Sequence, residues 1–214
     1  MDNEARRGKL YFKYGAMGCS KSAQLLIQAH GFEERGIPFI CMKSCVDTRD
    51  GEDTIASRAG MKRECVTVSK TDNIFEMMVK FCETMLMQGL ETPAWILVDE
   101  AQFLSEAQVD QLARVVDEMG IDVMCYGLRT DFRTRFFEGS RRLMEIADTI
   151  DEIKMSCRCG GKATINARVA PDGTLLTDGE QVVIGGNELY VPMCRRCYGQ
   201  MKREAERRMG ISAC

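Results

Sequence analysis

Residues 10–26, "LYFKYGAMGCSKSAQLL", constrain the fold more than any other stretch of the chain. An apolar run short enough for a buried strand ends at Gly15, a glycine-containing turn follows, and a helix-like pattern starts at Ser22. That order is the first βα unit of a parallel sheet. It also approaches G-x-x-x-x-G-K-[ST], the turn whose backbone N–H groups converge on phosphate. Gly15, Lys21 and Ser22 fit, but the second glycine is Ser20. Serine takes most of the same backbone conformations and is strained only where φ must be positive. Alone, the loop leaves two readings open, a phosphate cradle and an ordinary βα turn.

The grammar repeats downstream. Residues 39–43, 95–99 and 123–127 are short apolar runs, and 149–155 offers a fifth. Continuous rather than alternating hydrophobicity suits strands covered on both faces. Helical spacing fills the gaps. Residues 22–35 stop at Gly36, and 74–88 carry Phe75, Met78, Cys82 and Met85. Residues 105–119 start at Ser105, a natural N-cap, and end before Gly120. The pattern predicts an α/β domain over residues 1–155, a parallel sheet flanked by helices.

After Ser156 the pattern changes. Residues 162–170 alternate, 171–174 (Pro-Asp-Gly-Thr) form a turn signal, and 181–184 and 189–193 read as short strands. This is a small β-rich module over 156–198, followed by a charged helix from about Tyr198 and a tail at 199–214. It carries two close cysteine pairs, Cys157 with Cys159 and Cys194 with Cys197. Two thiolate pairs separated by a β-hairpin match a closed tetrahedral zinc site. The first pair is C-x-C, a tighter turn than usual, which Gly160 and Gly161 ease. Two disulfides are the alternative. The other seven of the eleven cysteines are scattered singly and the total is odd, which favours a reducing cytoplasm.

Bulk properties exclude several classes. A net charge of −3 gives no global field for nucleic acid, and the basic runs 195–196 and 202–208 read as a solvated face. No apolar stretch approaches the roughly 18 residues of a membrane span. Residues 1–8 are polar and lack the apolar core of a signal peptide. The fifteen methionines read as core filler, and the single histidine, His30, as a structural or exposed residue of the first helix.

A second chemical signal is "WILVDEAQFL", residues 95–104. An apolar strand ending in Asp99 sets a carboxylate at the sheet's C-terminal edge, where it can hold Mg²⁺ beside a phosphate loop. Glu100 follows and can face the site as a general base. Two acids capping the next helix are the alternative. Their coincidence with the 15–22 loop favours the nucleotide reading.

With "GAMGCSKS", "DTRDGEDTIASRAGMKRE", "DEAQFL", "YGLRTDFRTRFFEGS", "CRCGGKA" and "VVIGGNELYVPMCRRCY" in this order, the chain resembles the type II (cellular-type) thymidine kinases from about Lys9 to Tyr198. The resemblance implies a P-loop domain and a zinc-bearing lasso that closes over the nucleoside. It implies ATP bound by Gly15, Ala16, Met17, Gly18, Cys19, Ser20, Lys21 and Ser22, and by Asp99, Glu100, Ala101 and Gln102 with Mg²⁺. Glu100 matches the proton acceptor for the thymidine 5′-hydroxyl. Met17, Leu128, Phe132 and Phe137 match the base pocket. Gln181, Val182, Val183, Ile184 and Gly185 match the lasso strand that reads the thymine edge, and Tyr190 a lasso contact. Cys157, Cys159, Cys194 and Cys197 match the structural Zn²⁺ ligands. Asp47 and Arg58 fall in the family's strip after the second strand. A cytoplasmic homotetramer, feedback-inhibited by thymidine triphosphate, is implied in the same way.

The chain departs from that family at Ser20, where a glycine is usual. The expected activity is therefore thymidine phosphorylation, with deoxyuridine a further substrate. A nucleotide-binding homologue weakened at this loop is the alternative. A zinc-ribbon nucleic-acid motor is disfavoured by the acidic charge.

Overall fold

The computed structural model describes residues 7–47, 51, 53–181 and 190–208. In chain order the elements are β1 (Leu10–Gly15), α1 (Lys21–Glu34), β2 (Phe39–Ser44), β3 (Thr54–Ala56), β4 (Lys62–Glu64), β5 (Val66–Val68), α2 (Ile74–Met87) and β6 (Trp95–Asp99). A 3₁₀ turn (Ala101–Phe103), α3 (Glu106–Met119), β7 (Asp122–Gly127), α4 (Glu138–Ile146) and β8 (Thr149–Ile153) follow. β9 (Ile165–Val169), β10 (Leu175–Leu176), β11 (Tyr190–Met193) and α5 (Arg195–Arg208) complete the described chain.

Six strands form one sheet in the order β5-β2-β6-β7-β1-β8, and every neighbouring pair is parallel. Side-chain alternation splits each strand between two layers. Ile96 and Val98 pack with Met78, Val109, Leu112 and Val116 of α2 and α3, whereas Leu97 packs with Leu25 and Ala29 of α1. Burial on both faces explains why these strands read as continuous apolar runs.

The helix boundaries follow local chemistry. Ser105 caps α3 in a reciprocal box with Gln108, and Gly120 closes it at φ 68°. The smaller sheet, β10-β9-β11, is antiparallel and packs Ala167 and Leu175 against Ala205 of α5. α5 starts at Arg195, earlier than its charge pattern suggests, because the Tyr198 N–H already bonds the Cys194 carbonyl at 3.0 Å.

Three short strands carry no clear periodic signal. The β3–β4 hairpin and edge strand β5 are built from strands of three residues each, too short for a pattern to emerge. α4 has only Gly139, Ser140 and Leu143 buried. Gly139 sets how close that helix comes to the turn after β6. A Cβ there would lie 2.6 Å from the Leu104 carbonyl oxygen and 2.7 Å from that of Ala101. Gly139→Ala is expected to cost about 1–3 kcal/mol of stability, as overpacking against rigid backbone does, and urea unfolding measures it.

Candidate active site

The C-terminal ends of β1, β2, β6 and β7 meet at one cleft of about 350 Å³. Residues 15–20 leave β1 and lead into α1. Gly15 admits no side chain: a Cβ would sit 2.4 Å from Cys19 Sγ and 2.5 Å from the Ile153 carbonyl oxygen. Gly18 and Ser20 both take positive φ, 79° and 66°. Ser20 thus occupies the left-handed conformation that the glycine of the phosphate pattern would take, and its side chain makes no capping bond to α1. The loop has kept its backbone shape despite the serine, which holds the strain instead.

Lys21 is 8% exposed and folds back over this loop, donating from Nζ to the carbonyls of Ala16 (3.1 Å) and Gly15 (3.4 Å). Across the cleft, β6 delivers Asp99, 4% exposed. Burial, reinforced by the neighbouring Glu100 charge, pushes the Asp99 carboxyl up to about 7 against the Ser22 hydroxyl, the Glu100 N–H and Lys21. A buried carboxylate bonded to a serine hydroxyl beside a lysine is a donor set that suits a hard divalent cation with phosphate.

Glu100 itself has φ 49° and ψ 39°, a second left-handed non-glycine residue. This reversal turns the chain out of β6 into the 3₁₀ turn, and the Glu100 N–H donates to Asp99 Oδ1 at 3.0 Å. Gln102 Nε2 donates to Glu100 Oε2, while Gln102 Oε1 accepts the Leu128 N–H at 2.9 Å. Gln102 thereby fixes both the carboxylate and the first residue after β7.

Leu128, Phe132 and Phe137 form an apolar wall, with Phe103 meeting Phe137 edge-on at 5.7 Å between ring centres. The Arg168 and Arg133 guanidiniums lie over the Phe132 ring, 5.3 and 5.5 Å from its centre. Gln181 and Tyr190 reach the same cleft from the small sheet's side, and Asp47 and Arg58 from the stretch after β2. Of the remaining expected residues, Ala16, Cys19 and Ala101 are buried behind the cleft rather than lining it. Val182, Val183, Ile184 and Gly185 lie outside the described residues.

Cys157, Cys159, Cys194 and Cys197 converge, every sulfur within 4.8 Å of the others and Cys159 3.6 Å from Cys194. Four thiolates around one zinc at about 2.3 Å would stand about 3.8 Å apart, so the cluster fits the ion. Backbone N–H groups support the charge: they hold the Cys157 thiol down to about 6, and the Cys197 N–H points at Cys194 Sγ. Hydrogen bonding to the three neighbouring sulfurs pushes the Cys197 thiol up to about 12.

Two residues of the site escape sequence reasoning. Asn166 on β9 is 3% exposed and bridges the two halves of the cleft. Its Oδ1 accepts the Met17 N–H at 2.7 Å and its Nδ2 donates to the Thr130 carbonyl at 3.2 Å. Asp131, 2% exposed, organises the turn before Phe137. An asparagine within the inward-facing run Ile165 to Ala167 was the one signal for the first; nothing local marked the second.

The sequence comparisons agree with one another. A family model described as "Thymidine kinase" matches residues 8–198. Proteins named thymidine kinase from Streptococcus pyogenes and from Lactococcus lactis subsp. lactis are each 45% identical over 191 residues, 89% of this chain and 96% of theirs. One from Streptococcus agalactiae is 44% identical over 192 residues, covering 89% of this chain and 96% of its own.

The strain at Ser20 has a measurable consequence. Ser20→Gly is expected to stabilise the protein by about 1 kcal/mol, read as a higher urea midpoint at unchanged slope. No gain would mean that the serine relaxes out of the left-handed region in solution.

Proposed function

The chain belongs to the thymidine kinase family, and from that premise we propose how its own residues move the γ-phosphoryl group of ATP to the 5′-hydroxyl of thymidine. The observation that carries the proposal is the meeting, in one cleft, of the 15–22 loop, the Asp99–Glu100 corner and the aromatic wall.

The N–H groups of the 15–22 loop, oriented by the two positive-φ residues, hold the β-phosphate. Lys21 exchanges its contacts with the Gly15 and Ala16 carbonyls for phosphate oxygens and balances charge on the transferring group. Asp99 and the Ser22 hydroxyl hold Mg²⁺, which, when bound, neutralises the phosphate oxygens that gain charge in transfer. Glu100 accepts the 5′-hydroxyl proton as the oxygen bonds to the γ-phosphorus and the bridging bond to ADP breaks. Gln102 keeps the Glu100 carboxylate aimed by its hydrogen bond to Oε2.

Thymidine lies against Met17, Leu128, Phe132 and Phe137, with Tyr190 and the 181–185 segment closing over its base. Zinc at the four cysteines staples the closing module, since a unit of about 45 residues buries too little apolar surface alone. In domain terms, 1–155 is the ATP-binding kinase unit, 156–198 the zinc-bearing lasso and 199–214 a helical tail. Deoxyuridine, which lacks only the methyl group, is a second substrate, and thymidine triphosphate a feedback inhibitor. The active form is a cytoplasmic homotetramer; exposed Leu86, Met87 and Leu90 at the end of α2 support burial between copies. Among the described residues no helix is long and apolar enough to cross a membrane.

The test is phosphoryl transfer with ATP, Mg²⁺ and a nucleoside panel. Glu100→Gln keeps the hydrogen bond from Gln102 at its carbonyl but cannot accept the proton. It is expected to lower kcat by about 10²–10⁴-fold while ATP affinity stays within a few fold. Retained turnover in that variant would remove Glu100 from its role. Turnover by Ser20→Gly alone, with the native chain silent, would move the reading to the weakened homologue.

A further inference from the structure

Asp131 is a carboxylate with no solvent contact: its side chain is 0% exposed. Its Oδ1 accepts two backbone N–H groups, those of Arg133 and Arg135, each at 2.9 Å. Its own N–H donates to the Arg135 carbonyl at 2.8 Å, and its carbonyl accepts the Thr134 N–H at 3.1 Å. The five-residue turn 131–135 is therefore wound around this one side chain. That turn includes Thr134 at φ 63°, a strained conformation that needs local support. It also carries Phe132, 1% exposed and part of the cleft wall, whose carbonyl accepts from the Tyr198 hydroxyl at 3.4 Å.

The second oxygen looks outward from the turn. Asp131 Oδ2 accepts Gln181 Nε2 at 3.2 Å and faces Arg133 Nε at 3.4 Å. Gln181, fifty positions away in sequence, lines the same cleft. A charged acceptor makes this bond stronger than one between neutral amides, and burial removes competing water.

We propose that Asp131 is a positioning residue for nucleoside binding: one carboxylate oxygen orders the Phe132 wall, and the other holds the cleft-lining Gln181 against it. Phe132 and Gln181 then adopt one relative placement instead of two independent ones. Asp131 touches no reacting atom, so its loss weakens nucleoside binding more than ATP binding. The proposal rests on the reading of the cleft as a nucleoside site, and one arm of its test does not need that reading.

Four variants probe the second oxygen, the fourth combining Asp131→Asn with Gln181→Ala. Asp131→Asn keeps an acceptor for the two backbone N–H groups but sets an amide donor against the Gln181 donor. Gln181→Ala removes the partner, and Asp131→Asn with Gln181→Glu reverses donor and acceptor. Asp131→Asn is expected to raise the thymidine KM about tenfold with the ATP KM changed less than about twofold, at native zinc content and native far-UV circular dichroism. Adding Gln181→Ala to Asp131→Asn changes the thymidine KM by less than about twofold more, and the reversed pair returns it to within about threefold of native. Additive effects, equal rises in both KM values, or no recovery in the reversed pair would overturn the proposal.

Hydrogen exchange on the ligand-free proteins reads the same link without substrate. In Gln181→Ala the amides of residues 131–135 are expected to exchange about three- to tenfold faster, and the reversed pair restores their protection. Unchanged exchange would also overturn the proposal. A native chain that phosphorylates no nucleoside, yet shows this exchange pattern, would sink the nucleoside reading and leave the Asp131–Gln181 link standing.

Discussion

Two backbone reversals at the C-terminal edge of the sheet govern everything near the cleft. At Ser20 and at Glu100 a non-glycine residue is held in the left-handed region, at roughly 1–2 kcal/mol each. Neither reversal is needed to make a parallel α/β sheet. A relaxed turn would serve, at lower cost, to send each strand into its helix. What the reversals do is aim atoms. The one at Ser20 delivers Lys21 and Ser22 to the cleft at the start of α1, and the one at Glu100 turns the chain out of β6 and sets its side chain in the cleft beside Asp99. The surrounding structure holds them by close packing, seen in the absence of room for any Cβ at Gly15 and Gly139.

Strain at the sheet edge would be of little use if the opposite wall could drift. That wall is anchored by buried polar groups, not by apolar packing. Asn166 reaches from β9 to the Met17 N–H and the Thr130 carbonyl, and Gln102 spans from Glu100 to the Leu128 N–H. Each amide uses both its ends, so neither leaves a buried donor or acceptor exposed to the cost of desolvation. Directional bonds of this kind fix one arrangement where hydrophobic contact alone would tolerate several. The apolar residues Leu128, Phe132 and Phe137 supply the surface, and the amides set its position.

This division also explains what could be read from sequence. Trp95 to Asp99, Leu10 to Gly15 and Ser105 with Gly120 announce themselves because burial on both faces and helix capping leave local signatures. Asp99, Glu100 and the four cysteines were legible because their chemistry depends on short spacings that the chain preserves. Asn166 and the Asp131–Gln181 link were not, since Asn166 meets Met17 across 149 residues and Asp131 meets Gln181 across 50, and only the fold brings them together. The positive φ of Ser20 was foreseeable as a condition but not as a fact; it took the backbone to show that the serine had accepted the glycine's conformation. The β3–β4 hairpin left no trace because strands of three residues with charged Lys62, Arg63 and Glu64 have no period to detect.

The cysteine cluster has a consequence for the cleft although it lies apart from the residues that line it. Cys157 and Cys159 precede β9 and Cys194 and Cys197 follow β11, and the last antiparallel pair before the cluster is Ile165 with Met193. A metal shared by the four sulfurs would tie those two strands at one end and so hold their register. Register then fixes Asn166 opposite Pro192 and Arg168 opposite Tyr190. A slip of one residue would turn Asn166 to the other face of the small sheet and carry its bond to Met17 away with it. Four residue pairs join β9 to β11, and Met193, Tyr198 and Met201 pack against the small core of Ala167, Leu175 and Ala205. Such a staple would act as a positional device, holding the face of β9 on which Asn166 accepts the Met17 N–H of the 15–22 loop.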